Sequence, residues 1–232
     1  MTTIKDVAKQ ADVSVATVSR VLNNNGYVNE DTRKKVLKAI DALNYKPNSV
    51  ARSLFKKQSK TIGLIIPDIM NPFFPELARV VEDVMHQHGY TVILCNSDAN
   101  PEKEAHYLDV LKSKYIDGAI MVTNTLKQKH IESWDLPLVG LDRPLEGHIP
   151  SVYTDNFHGA KLAVSHLQEL DCQHIAHIRG PKTITNAQQR YEGYKQEIQK
   201  HGAFREELVV SGEYQWETSE KVTTALLKNI HI

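Results

Sequence analysis

Residues 3–23, TIKDVAKQADVSVATVSRVLN, contain two short helical patterns separated by a tight polar turn. Apolar residues recur at helix spacing and predict two inner faces, formed by Ile4, Val7, Ala8 and Ala11 in the first helix and by Val15, Val18 and Leu22 in the second. Ser14 stands where an N-cap belongs, because its hydroxyl can accept hydrogen bonds from free amides of the second helix. The pattern predicts a helix-turn-helix, whose second helix is shaped to enter the DNA major groove.

Polar side chains occupy the outward positions of the second predicted helix, namely Thr17, Ser19, Arg20 and Asn23. Short hydroxyl and amide groups suit contacts with phosphate oxygens, and an arginine can read guanine through two hydrogen bonds. Paired amphipathic helices also occur in many folds that bind no DNA, so the apolar spacing alone leaves both interpretations open. The polar residues favour DNA binding.

The formal net charge of the 232-residue chain is zero, but the charge is unevenly distributed. Residues 1–60 carry 12 Lys and Arg against 5 Asp and Glu, whereas the remaining 172 residues carry 16 against 23. The N-terminal head is therefore basic and the body is acidic. We expect the head, and not the body, to attract DNA.

The two cysteines, Cys95 and Cys172, form neither a disulfide framework nor a metal-ligand pattern. We therefore expect a reducing compartment, no metal and no cofactor. The N-terminal residues lack an apolar signal core, and no run of 18 apolar residues occurs in the sequence. These features predict a cytoplasmic protein, and DNA binding would make it nucleoid-associated.

The chain changes its pattern near residue 60. Residues 1–46 form the predicted head, with a third helix that begins at Glu30 and has Val36, Ile40 and Leu43 on its inner face. Pro47 breaks that pattern, and residues 47–60 read as a short helical segment and a linker. Beyond them, apolar strand runs alternate with helical patterns, which predicts a parallel α/β sheet covered on both faces. The strand runs lie at 61–67, 91–95, 118–122, 137–142, 151–155, 174–180 and 208–212.

Three segments carry a family resemblance: the stretch at 3–23, NYKPN at 44–48 and VARSL at 50–54. With them the whole chain resembles the LacI/GalR family of bacterial transcription repressors. The resemblance implies a hinge helix at 47–60 and a two-lobed body like that of periplasmic binding proteins, which binds a small sugar and dimerises. The first lobe would comprise residues 61–156, and 157–232 would form a partial second lobe.

The same resemblance assigns roles in reading a palindromic operator. Val15, Ala16 and Arg20 would face base edges, and Ser14, Thr17, Ser19 and Asn23 would contact phosphates. In the hinge helix, Leu54 would wedge into a central minor-groove step beside Ala51 and Arg52. An apolar wedge unstacks the bases and kinks the duplex, and the bend brings additional contacts.

Candidate effector-binding residues follow the strands of the predicted sheet, where parallel α/β proteins bind ligands. Aromatic rings can stack on the apolar face of a sugar, while charged and amide groups hydrogen-bond its hydroxyls. The combination of NPFF, LDR, QQRYEGY and GEYQW resembles ribose repressors and points to D-ribose. Core packing, a loop ion pair and a surface charge are the structural alternatives for these side chains. The candidates are Asn71, Phe73, Phe74, Thr123, Asp142, Arg143, Arg190 and Tyr214.

Three other functions compete with this interpretation. The sequence lacks the nucleophile-elbow, zincin and P-loop motifs, so we do not expect an enzyme. An exported sugar-binding protein would fit the body but not the basic head. A catabolite-control regulator, whose corepressor is a phosphorylated carrier protein, would have a similar head, and the sugar-type candidates argue against it.

The predicted second lobe has fewer strand–helix units than the first. A complete lobe would need roughly another 100 residues on grounds of domain size. We therefore expect that lobe to be incomplete, with exposed sheet edges. A natural product of this length should bind sugar poorly and dimerise weakly.

Overall fold

The computed structural model describes residues 2–46, 58–122, 125, 134–145, 148–202 and 204–229. They belong to two compact units, Met1–Ser59 and Lys60–Ile232. The first unit is the head, and the second is the body.

Within residues 2–46 of the head there are three helices: α1 (Ile4–Ala11), α2 (Val15–Asn23) and α3 (Glu30–Ala42). Helix α1 begins with a capping box, in which the Thr3 hydroxyl accepts from the Asp6 amide and the Asp6 carboxylate accepts from the Thr3 amide. Asp12 and Asn24, both with left-handed backbones, end α1 and α2. The head core comprises Val7, Ala8, Ala11, Val18, Val21, Val36 and Ala39.

The predicted inner face of the second helix is wrong at one position. Val15 is 40% exposed, whereas Val18 and Val21 are buried and Leu22 is partly buried. Val15 is the first residue of α2, directly after the exposed Ser14 cap, and the packing against α1 and α3 begins one turn later. The side chain of Val15 is therefore available at the surface of the head.

In the first lobe of the body, the described residues form a five-stranded parallel sheet in the order β2-β1-β3-β4-β5. Its strands are β1 (Thr61–Ile66), β2 (Thr91–Asn96), β3 (Gly118–Met121), β4 (Leu138–Leu141) and β5 (Ser151–Val152). The described residues of this lobe also form helices α4 (Phe73–Gln87) and α5 (Pro101–Ser113).

Both faces of the sheet are covered, as the continuous apolar strands predict. Successive residues of β1 alternate between two cores, because side chains on a strand point to opposite faces. Ile65 packs with Leu108 and Leu111 of α5, while Leu64 and Ile66 pack with a cluster from α4. All three β1 residues are fully buried.

The described part of the second lobe contains three helices and a two-stranded parallel sheet. These are α6 (Asn156–Glu169), β6 (His177–Arg179), α7 (Thr185–His201), β7 (Val209–Ser211) and α8 (Trp216–Asn229), with a 3₁₀ turn at Glu206–Leu208. Tyr194 joins α7 to the sheet, since its ring stacks on His177 and its hydroxyl donates to the Ile175 carbonyl at 2.8 Å. No helix in the described ranges is long and apolar enough to cross a membrane.

Helices α6 and α7 approach closely at Gly193. A Cβ at this position would overlap the Phe157 carbonyl oxygen and lie 3.0 Å from the Ala160 Cβ. Gly159, which lies within α6, would place a Cβ in open space. The two glycines therefore differ in what a methyl group would meet.

We expect Gly193→Ala to lower the free energy of unfolding by about 1–3 kcal/mol, because the helices must separate to admit the methyl group. Gly159→Ala is the matched control, and it should raise stability by up to about 1 kcal/mol through helix propensity. Urea unfolding followed by circular dichroism measures both. Equal effects of the two substitutions would contradict the close packing at Gly193.

Candidate functional site

The exposed surface of helix α2 carries the residues predicted to read DNA. Ser14 caps the helix, accepting from the Thr17 amide at 3.1 Å and sharing a hydrogen bond with the Thr17 hydroxyl at 2.9 Å. At the other end, the Asn23 amide donates to the Ser19 carbonyl at 2.9 Å. Ser14, Val15, Ala16 and Arg20 are exposed, whereas Thr17, Ser19 and Asn23 are half-buried.

This helix surface suits a polyanion. The first turn of α2 contains no acidic residue, and Arg20 lies in its last turn. Free amides at a helix N-terminus attract phosphate, and an exposed arginine can reach a base edge. The predicted hinge residues Ala51, Arg52 and Leu54 lie outside the described residues.

In the body, the carboxyl ends of the parallel strands lie along one edge of the first-lobe sheet. Strands β2 and β3 flank β1 on opposite sides. The direction in which successive strands are added across the sheet therefore reverses between β1 and β3. Ligands of such sheets bind at this reversal. Asn71 and Phe73 follow β1, and Asp142 and Arg143 follow β4.

Asn71 shapes the start of α4. Its Oδ1 accepts from the Phe73 amide at 3.2 Å. The Phe73 ring is 48% exposed and therefore free to stack on a ligand. The Phe74 ring is 5% exposed and packs edge to face against Phe73 at 5.1 Å, within the α4 core. Phe74 thus supports Phe73 and offers little ring face of its own.

Asp142 and Arg143 form an ion pair in which Arg143 is buried and Asp142 is mostly buried. Arg143 Nε lies 3.6 Å from Asp142 Oδ2, and no described residue accepts a hydrogen bond from this buried Nε. Burial raises the pKa of the Asp142 carboxyl, and Arg143 and Arg190 only partly oppose that effect. Burial also lowers the pKa of the Arg143 guanidinium against the attraction of Asp142, Tyr214 and Glu104. Both charges therefore lose more hydration than their pairing returns.

Arg190 on α7 joins this cluster. Its Nε donates to Asn156 Oδ1 at 2.7 Å. Burial is the main cause of the lowered Arg143 pKa, and the positive charge of Arg190 lowers that pKa further. One helical turn earlier, the Asn186 amide donates to the Asp142 carbonyl at 2.9 Å. Helix α7 of the second lobe therefore contacts the end of β4 in the first.

Tyr214 lies in the turn after β7, with a left-handed backbone and a 40% exposed side chain. Its ring lies against Gly180 at the end of β6, where any Cβ would overlap the ring. The absence of a side chain at Gly180 therefore leaves room for the Tyr214 ring. Tyr214 is close enough to Arg143 to affect the pKa of its guanidinium, as Asp142, Glu104 and Arg190 also do.

The sequence interpretation missed three buried residues at this site: Glu104, Asn156 and Asn186. Glu104 is fully buried, and its carboxylate accepts hydrogen bonds from the hydroxyls of Ser97, at 3.0 Å, and Thr125. It thereby joins the segments that follow β2 and β3. A carboxylate within a helical pattern usually indicates a solvated charge, so no local signal pointed to this role of Glu104. The predicted Thr123 lies outside the described residues.

Comparisons with known proteins agree with the two-part organisation. The family model described as bacterial regulatory proteins, lacI family, matches residues 3–48, and the model for periplasmic binding proteins and the sugar binding domain of the LacI family matches 59–230. The chain belongs to the LacI family of bacterial regulatory proteins.

Two curated relatives are ribose operon repressors. The protein from Halalkalibacterium halodurans is 55% identical over 228 residues, which is 98% of this chain and 68% of the relative. The protein from Bacillus subtilis is 49% identical over 193 residues, covering 83% of this chain and 59% of the relative. The matches thus span between about three fifths and two thirds of the relatives' length.

The body and head also match a solved LacI-family structure. The lac repressor dimer bound to operator and the anti-inducer ONPF aligns with a TM-score of 0.85 at 26% identity, over 98% of this chain and 70% of that one. The predicted resemblance and fold class are confirmed, and membership of a family of regulators agrees with the prediction that the chain is not an enzyme. The residue assignments stay predictions.

We expect Asp142→Asn to raise the melting temperature at pH 7, because it removes a carboxylate whose pKa is raised by burial. A raised pKa stabilises the fold below the unfolded-state pKa, and this contribution is lost as pH rises through the folded-state value. The difference between the variant and the native chain should therefore shrink towards acid pH. Thermal unfolding across pH 4–7 measures it.

Asp98→Asn is the matched control for that substitution. Asp98 also has a left-handed backbone, but hydrogen bonds from Lys103 and Asn96 lower the pKa of its carboxyl. Its stabilising contribution is present above the unfolded-state pKa and is lost as pH falls. Asp98→Asn should therefore leave the melting temperature at pH 7 unchanged or lower it. A stabilised Asp98→Asn or a destabilised Asp142→Asn would contradict the assigned electrostatics.

Proposed function

We propose that this chain is a sequence-specific transcription repressor whose affinity for a palindromic operator is controlled by a small sugar, with D-ribose the best candidate. The protein acts as a homodimer, with one head per half-site. A role on operator DNA implies a cytoplasmic, nucleoid-associated protein.

The observation that carries the sugar site is the buried Arg143 guanidinium. Its Nε has no acceptor among the described residues, and Asp142, Arg190 and Tyr214 lie within electrostatic reach. Sugar hydroxyls both donate and accept, so one ligand can satisfy Arg143 and Asp142 together. The exposed Phe73 ring supplies an apolar surface for the opposite face of the sugar.

The choice of ribose rests on the two relatives named as ribose operon repressors. A polar site of this kind distinguishes sugars by their hydroxyls, because an analogue with a misplaced hydroxyl leaves buried groups unpaired. A regulator that answers to a phosphorylated carrier protein is the alternative, since a catabolite control protein A from Priestia megaterium is 40% identical over 97% of this chain.

Sugar binding between the lobes alters the affinity of the heads for the operator in this proposal, and the two binding events are coupled reciprocally. Asn186 and Arg190 already connect α7 with Asp142 and Asn156. A ligand that contacts Asp142, Arg143 and Arg190 acts on both lobes at once. We expect the sugar to release the protein from DNA.

The effector assignment predicts that D-ribose lowers operator affinity by at least about tenfold, which corresponds to a coupling free energy within the usual range. Fluorescence anisotropy of a labelled operator duplex, selected on this chain from a random palindromic library, measures it. D-xylose, which differs from D-ribose at one hydroxyl, is the control. A response to D-xylose alone contradicts the ribose assignment, and a response only to a phosphorylated carrier protein contradicts the sugar assignment.

The DNA-reading assignment predicts that Arg20→Ala lowers affinity for the selected operator by about tenfold to a hundredfold, as expected for loss of one bidentate base contact. Lys38→Ala, an exposed charge on α3, is the control. Both variants lose one positive charge, so binding to random-sequence DNA should fall to a similar extent. Equal discrimination between operator and random DNA in the two variants would contradict base reading by Arg20.

A further inference from the structure

Asn156 begins helix α6 and is 5% exposed. Both polar atoms of its side-chain amide have a partner: Nδ2 donates to the Thr154 carbonyl at 3.0 Å, and Oδ1 accepts from Arg190 Nε at 2.7 Å. Because the carbonyl of Thr154 requires the donor, the oxygen of the amide faces Arg190. The orientation of Asn156 is therefore determined by its contacts.

This contact determines the plane of the Arg190 guanidinium. The five N–H donors of an arginine lie in one rigid plane, so a hydrogen bond to Nε orients Nη1 and Nη2 as well. No described residue accepts a hydrogen bond from either of those nitrogens. Arg190 is thus held through Nε, while the N–H groups of Nη1 and Nη2 stay available to a ligand.

Helix α7 is held at a second point on the same face. Asn186, four residues before Arg190, is 3% exposed and donates to the Asp142 carbonyl. Residues four apart on a helix are neighbours on its surface. The backbone of α7 is therefore anchored beside Asp142, and Asn156 holds the far end of the Arg190 side chain.

We propose that Asn156 is a positioning residue for the effector, which holds the Arg190 guanidinium so that Nη1 and Nη2 meet the hydroxyls of a sugar. The inference rests on the function proposed above, because it takes Arg190 as an effector-binding side chain. An arginine held in place before binding loses less conformational freedom when the ligand arrives. Asn156 thereby sets the affinity for the sugar through Arg190.

The same pair of helices offers a control. Ser165 on α6 donates to the Glu197 carboxylate of α7 at 3.2 Å. Ser165 lies nine residues along α6 from Asn156, about 13 Å away at the helical rise. Ser165→Ala therefore removes a hydrogen bond between α6 and α7 at a distance from the candidate site.

Isothermal titration of the 232-residue chain with D-ribose tests the proposal. Asn156→Ala should lower the affinity by about tenfold, the usual effect of losing a hydrogen bond to a charged group. Asn156→Asp should lower the affinity less than Asn156→Ala does, because its carboxylate still accepts from Arg190 Nε although it no longer donates to the Thr154 carbonyl. Ser165→Ala should bind as the native chain does.

A double-mutant cycle separates positioning from a merely structural role. In an Arg190→Ala background, adding Asn156→Ala should change the ribose affinity by less than about twofold, because the residue acts through Arg190. If Asn156→Ala lowers the ribose affinity in that background as much as it does in the native chain, the inference is overturned. A ribose affinity unaffected by Arg190→Ala contradicts the proposed effector site itself, and with it the positioning role.

A measurement without ligand tests the contact directly. The Arg190 Nε proton should exchange slowly with water in the native chain and in Ser165→Ala, and quickly in Asn156→Ala, when followed by ¹⁵N nuclear magnetic resonance. Exchange that is equally fast in all three proteins overturns the inference. Slow exchange in the native chain, combined with a ribose affinity that Arg190→Ala lowers and Asn156→Ala leaves unchanged, overturns only the positioning role.

Discussion

The pairing of strand β1 with both β2 and β3 is the constraint on which the body depends. Residues 61–66 align with 91–96 on one side, and residues 62–65 align with 118–121 on the other. A shift of one residue would move Leu64 and Ile66 into the core that now holds Ile65, so burial on both faces fixes the register. This register brings the ends of β1, β2 and β3 to one edge, where Ser97, Thr125 and Glu104 can meet.

The fold followed from the sequence because its signals are local. Apolar runs predicted the strands, and capping residues such as Ser14 predicted where helices begin. Val15 was placed in the core because helix spacing does not report where the neighbouring helices stop. No described residue packs over Val15 at the start of α2. The helical spacing was therefore predicted correctly, but the burial of Val15 was not.

The candidate site was predictable only in part. Asp142 and Arg143 were found because charged residues directly after an apolar strand are conspicuous, whereas Arg190, which lies on a helix, was named through the family resemblance. Asn156 and Asn186 were missed because their partners lie far along the chain: Asn156 is 34 residues from Arg190, and Asn186 is 44 residues from Asp142. Such hydrogen bonds depend on how α7 packs against α6 and meets the end of β4, and no local pattern of residues encodes them.

The cost of the buried charges explains why those asparagines matter. Asp142 and Arg143 lose hydration on burial, and their 3.6 Å ion pair offsets that loss only in part. Neutral amides add no further charge at this place. Asn186 holds α7 against the end of β4, and Asn156 joins α7 to α6. A carboxylate at position 156 would still hold Arg190, but it would also compete with a ligand for that charge. The amide of Asn156 therefore orients the Arg190 guanidinium and leaves its positive charge available to the effector.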